Sequence, residues 1–96
     1  MNPLKVDRNN IKNLTDLPNI GKATAADLAL LGINNPADLI QCDAFKLYNE
    51  LCHLTQARHD PCVIDVFISA IRFMQGEPAR PWWEYTAERK QSIKIS

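Results

Sequence analysis

Leu14-Thr15-Asp16-Leu17-Pro18-Asn19-Ile20-Gly21-Lys22-Ala23-Thr24-Ala25-Ala26-Asp27-Leu28-Ala29-Leu30-Leu31 is the stretch on which the fold turns. Pro18 stops whatever precedes it, because the residue ahead of a proline avoids the α region. The spacing of Ile11 and Leu14 predicts a short helix over about 10–16, and Leu17 then turns inward. After Gly21 the alanine-rich run, with Thr24, Leu28 and Leu31 at helical spacing, predicts a second helix over 22–31. Gly32 supplies the left-handed residue that ends it. The joint between the two, Leu17-Pro18-Asn19-Ile20-Gly21, is a tight hairpin, and the alanines permit close approach of another helix.

Downstream the punctuation continues to cut helices rather than strands, since alternating apolar and polar runs are missing. Asn35-Pro36 is an N-cap followed by a proline at the first helical position, opening a short helix through Leu39 and Ile40. Asp43 caps the next, over about 44–55, whose apolar face is Leu47, Tyr48, Leu51 and Leu54 and whose polar face is Lys46, Asn49, Glu50 and His53. Asp60-Pro61 repeats the cap-plus-proline start. Val63, Val66, Phe67, Ala70, Ile71 and Met74 then form the stripe of the longest and most apolar helix, with Asp65, Ser69 and Arg72 as a narrow polar strip and Gly76 as its stop. That helix is expected to be the most buried element. Residues 77–86 read as an extended Pro- and Trp-rich closing segment, and 87–96 as a tail, frayed from about Glu88.

The 96 residues suit one domain, and 46% hydrophobic residues are enough for a real core. The expected architecture is all-α: a single compact domain over 1–96 of about five short helices, with the hairpin unit at about 10–33 and a helical core at 35–76. Eleven basic residues balance eleven acidic ones, so no global positive field draws the chain to nucleic acid. The N-terminal Met1-Asn2-Pro3-Leu4-Lys5 lacks the apolar core of a signal peptide, and no apolar run approaches the ~20 residues of a membrane span. A cytoplasmic address and no membrane partner are expected, with Cys42, Cys52 and Cys62 as reduced thiols.

The residues 14–31 resemble the helix-hairpin-helix motif of DNA repair and replication proteins, in which a Leu-Pro-Gly-Ile-Gly hairpin precedes a helix with small residues. In such a motif the backbone amides at the start of the second helix attract a phosphate, because they lack intrahelical acceptors and sit at the positive end of the helix dipole. Gly21, Lys22 and Ala23 occupy that position, and Lys22 adds a charge. Contact to the backbone alone is blind to sequence. Asn19 departs from the motif's glycine: asparagine tolerates the left-handed backbone, but a phosphate there is expected to meet its side chain. The resemblance also implies a monovalent cation on the hairpin carbonyls of Thr15, Leu17 and Ile20. A longer pattern, Leu17-Pro18-Asn19-Ile20-Gly21, Leu51-Cys52, His59-Asp60-Pro61-Cys62-Val63-Ile64-Asp65-Val66-Phe67 and Pro81-Trp82-Trp83, resembles the bacterial pathogenicity-locus family, some of whose members carry mitomycin-resistance labels. It implies a SAM-domain-like helical fold and a link to DNA rather than a reaction.

Two further clusters carry chemistry. Cys52, His53, His59 and Cys62 are zinc-type ligands within eleven positions. Adjacent residues on a helix point ~100° apart, however, so Cys52 and His53 do not easily share an ion, and Cys52 reads as a packed apolar residue. Metal candidates reduce to Cys52, His59 and Cys62, and the expectation is no metal and no other cofactor. Cys62 also falls in the first turn of a helix, where a thiol pKa can drop, although Asp60 opposes this. Trp82, Trp83 and Tyr85 beside Arg80 suit either base stacking or a protein interface, while the simpler role is packing of at least one of the two tryptophan rings on the apolar helix. The leading functional reading is weak, sequence-independent DNA binding by Asn19, Gly21, Lys22 and Ala23, as an accessory to repair or a larger complex. A protein-interaction module with a degenerate hairpin is second, and a reactive-thiol protein centred on Cys62 is third. No enzymatic motif emerges.

Overall fold

A computed structural model describes residues 6–95, with side chains described over 6–91. Among the described residues there are four α-helices, α1 (Lys22–Leu30), α2 (Ala44–Thr55), α3 (Cys62–Met74) and α4 (Thr86–Ile95). Four 3-10 segments join them, at Arg8–Asn10, Leu14–Asp16, Pro36–Gln41 and Trp82–Tyr85, and no strand occurs among the described residues. The fold is all-α. Its Cα radius of gyration, 12.5 Å, matches the roughly 12–13 Å of a compact chain this long.

Local chemistry accounts for most boundaries. Asp43 Oδ1 accepts from the amides of Phe45 and Lys46 and starts α2. Asn35 Oδ1 accepts from Ala37 N–H, with Pro36 at the first helical position. Asp60 Oδ1 accepts from Cys62 N–H and starts α3. Gly32 and Gly76, at φ 84° and 108°, adopt the left-handed backbone that closes α1 and α3, and the amides of Ile33 and Glu77 turn back to Leu28 and Arg72 carbonyls.

α3 is the axis: Phe67, Ala70 and Ile71 of the expected stripe are buried while Val63, Val66 and Met74 are half-buried, Ile64, Ile68 and Phe73 complete the buried face, and α2, the Pro36–Gln41 turn, the Trp82–Tyr85 turn and α4 pack around the helix. Leu17, Ile20, Leu28, Leu39 and Leu51 reach the same core with no exposed surface.

Four expectations are corrected. The helix over 10–16 is instead a pair of 3-10 turns, because Asp16 Oδ2 takes the amides of Lys12 and Asn13 at 3.0 and 2.8 Å, and a carboxylate that captures local amides competes with a helical ladder. Leu54 is 52% exposed rather than part of the apolar face. It lies in the last turn of α2, next to left-handed Gln56, while the core on that helix ends at Leu51. Only the first part of 77–86 is extended, and its end winds into the 3-10 turn Trp82–Tyr85. Residues 88–95 are not a frayed tail but the body of α4, fastened by polar contacts: Arg89 Nε donates to Asp65 Oδ1 at 2.6 Å, Thr86 Oγ1 to Asp65 Oδ2 at 2.7 Å, and Arg72 Nη1 to Glu88 at 2.9 Å. Residue 96 of the expected tail lies outside the described residues.

Candidate functional site

The hairpin is held from below by its apolar residues. Leu17 and Ile20 have no exposed surface, Pro18 is buried beside them, and the Ile20 amide donates to the Leu17 carbonyl at 3.4 Å, which places a turn at Pro18-Asn19. Of the three carbonyls implied for a cation, that of Leu17 is therefore already engaged. Asn19 takes the left-handed backbone at φ 67°. Its side chain does not stand in front of the turn as the sequence suggested. Asn19 Nδ2 donates inward to Ser69 Oγ of α3 at 3.0 Å and to the Arg80 carbonyl at 2.8 Å. Ser69 Oγ in turn donates to the Val66 carbonyl. The residue that departs from the glycine of the motif thus fastens the hairpin to the central helix and to the Pro-rich segment.

Gly21 is the N-cap of α1 and brings no side chain to cap the helix. The first helical hydrogen bond is from Ala25 N–H to the Gly21 carbonyl at 2.9 Å, so the amides of Lys22, Ala23 and Thr24 precede the ladder. Gly21, Lys22 and Ala23 are exposed, and nothing lies within 4 Å of where a Cβ on Gly21 would be. Asp16, one turn before the hairpin, has its carboxyl held below the ordinary range by the amides of Asn13 and Lys12, so its charge is committed there.

The second candidate region meets the first at the Arg80 carbonyl. Arg80 is exposed, with Nη1 3.6 Å from Glu77 Oε1. Trp82 is half-buried, and Trp83 is 61% exposed. The two rings stand edge to face, 5.7 Å apart at 83°. The aromatic that closes the core is instead Tyr85, buried at the end of the same turn, where burial pushes its phenol up. The sequence marks Tyr85 as an aromatic of this segment and Asp65 and Ser69 as a polar strip, but not the burial of Tyr85, the Ser69–Asn19 bond or the Asp65–Arg89 pair. The available signal was the spacing of Asp65 and Ser69, one turn apart on the most apolar helix, because buried polar side chains need partners.

The cysteine–histidine cluster separates into local bonds. Tyr48 donates its hydroxyl hydrogen to the His59 carbonyl, and His59 Nε2 lies 2.8 Å from Thr55 Oγ1. Cys52 is half-buried on α2, and His53 is exposed. Among the described residues no three His, Cys, Asp or Glu side chains converge as a metal would need. The Cys62 thiol is pushed up, first by its hydrogen bond with Asp60 and then by burial, the opposite of a thiol activated by a helix N-terminus. Burial likewise raises Cys42. No described helix is long and apolar enough to cross a membrane.

Residues 7–91, from the first 3-10 turn through most of α4, match the family model described as pathogenicity locus. The chain belongs to the pathogenicity-locus family. It is similar to a protein named mitomycin resistance protein McrB from Streptomyces lavendulae. The two are 40% identical over 81 residues, covering 84% of this chain and 77% of the relative. No solved structure matches the chain. The family match takes in the hairpin, the Trp82–Tyr85 turn and Arg80, whose carbonyl accepts from Asn19.

Proposed function

We propose that this pathogenicity-locus protein is a weak, sequence-independent DNA-binding module of helix-hairpin-helix type, acting in the cytoplasm as an accessory to repair or to a larger complex. The observation that carries the reading is the exposed, uncapped start of α1 at Gly21, Lys22 and Ala23, with the Asn19 side chain turned inward so that a phosphate meets only backbone amides and Lys22. Amides at a helix start bind phosphate without reading bases. A zero net charge keeps the interaction weak and local. With Lys22 as the basic side chain at the start of α1, about one phosphate is neutralised, and the log-log salt slope is about −1.

Fluorescence anisotropy of labelled DNA at low and moderate salt tests this. Gly21→Glu and Lys22→Glu, each confirmed folded by circular dichroism, are expected to lose binding, and the wild-type affinity is expected to fall with salt at the stated slope. No wild-type binding at low salt overturns the reading. A protein-interaction module is the second reading, favoured by Leu30, which is 61% exposed on α1, a helix that buries only Leu28.

A further inference from the structure

We infer that the Arg80–Trp83 segment is the base-contacting half of the same surface, so that the preferred ligand is single-stranded DNA, with Trp83 as the stacking platform and Asn19 as the positioning residue. The inference rests on the hairpin being the phosphate site.

Three observations lead there. Trp83 leaves most of a large aromatic ring in water although the core is already closed by Tyr85, so packing does not account for it. Its contact with Trp82 is edge to face, an arrangement that engages at most one face of a ring and leaves the other open to a base. Asn19 Nδ2 bonds at once to the hairpin's support, Ser69, and to the Arg80 carbonyl, which brings the two segments into contact. Along the chain Gly21 is two residues from Asn19, at most ~7 Å, and Trp83 three residues from Arg80, at most ~11 Å, a reach that an oligonucleotide can span. A duplex keeps its bases in the stack and can use only the phosphate half. An unpaired strand can set a phosphate on Gly21–Ala23 and lay a base on Trp83 beside the Arg80 guanidinium.

The test compares an oligothymidine of about 12 nucleotides, within the roughly 4–16 that one small module covers, with a duplex of equal length. The wild type is expected to prefer the single strand by about tenfold, the low end of what one stacked base contributes, with quenching of tryptophan fluorescence. Trp83→Ala is expected to bring the single strand down to the duplex level, and Trp83→Phe to keep most of the preference. Asn19→Gly, which keeps the left-handed backbone and removes the tie, is expected to lower the ratio of single-strand to duplex affinity. Equal affinity for both ligands, indifferent to Trp83→Ala but still lost in Lys22→Glu, overturns this inference and leaves the phosphate site standing. Absence of binding to either ligand overturns both.

Discussion

Arg89→Met is expected to unseat α4 and remove a large share of the protein's stability. The Asp65 carboxylate has no exposed surface, and its donors are Arg89 Nε on one oxygen at 2.6 Å and Thr86 Oγ1 on the other at 2.7 Å. The Arg89 side chain is itself only 10% exposed, so water screens the pair little. Removing one member of a buried pair strands the other charge and costs about 3–5 kcal/mol. At about 3 kcal/mol, and roughly 4–8 °C per kcal/mol for a domain of this size, Tm falls by about 12–24 °C. That compares with a total stability of about 5–15 kcal/mol, so the variant sits near its unfolding threshold. Thermal and urea unfolding followed by circular dichroism measure it. The double variant Asp65→Leu/Arg89→Met should recover much of the loss, because replacing both members of a buried pair by apolar groups is often close to neutral. A Tm drop under about 3 °C for Arg89→Met, the behaviour of an exposed ion pair, would refute the docking of α4 on Asp65.

Acid unfolding should report the Arg72–Glu77 bridge: the Arg72 hydrogen bond holds the Glu77 carboxyl below its ordinary 4.5, so the stabilisation is present above that value and lost as pH falls through the folded-state pKa. Glu77→Gln should therefore flatten the stability profile as pH falls below the ordinary 4.5 of a glutamate, leaving the same-signed contributions of Asp16 and Asp60, and an unchanged slope would count against the bridge. Alkylation of Cys62 should follow an apparent pKa above the ordinary 9.0, and Asp60→Asn should lower it by removing the carboxylate beside the thiol. Rapid alkylation of the wild type at neutral pH would reverse that assignment and revive a reactive thiol.

Much of the helical scaffold was legible because it is written in short-range terms. Asp43, Asn35-Pro36, Asp60-Pro61, Gly32 and Gly76 act within a few residues of themselves, and they start or stop elements where their chemistry predicts. The apolar stripe of α3 likewise announced the most buried helix. The element ahead of the hairpin misled because Ile11 and Leu14 have helical spacing while Asp16 binds the local amides that a helix would use. α4 was illegible for a different reason. Its composition is polar, and what orders it is a charge on α3, Asp65, more than twenty residues back in the chain.

The candidate site divides in the same way. A tight turn at Pro18-Asn19 and an exposed start of α1 at Gly21 follow from the sequence alone, since proline, a left-handed asparagine and a glycine cap each act on their own backbone. Where the Asn19 side chain points, that Tyr85 rather than a tryptophan closes the core, and that the hairpin is tied to the Arg80 carbonyl were decided only by tertiary structure. Asn19 and Arg80 are 61 residues apart, and a hydrogen bond at that separation exists only once the packing of α3 has brought both chains to one place.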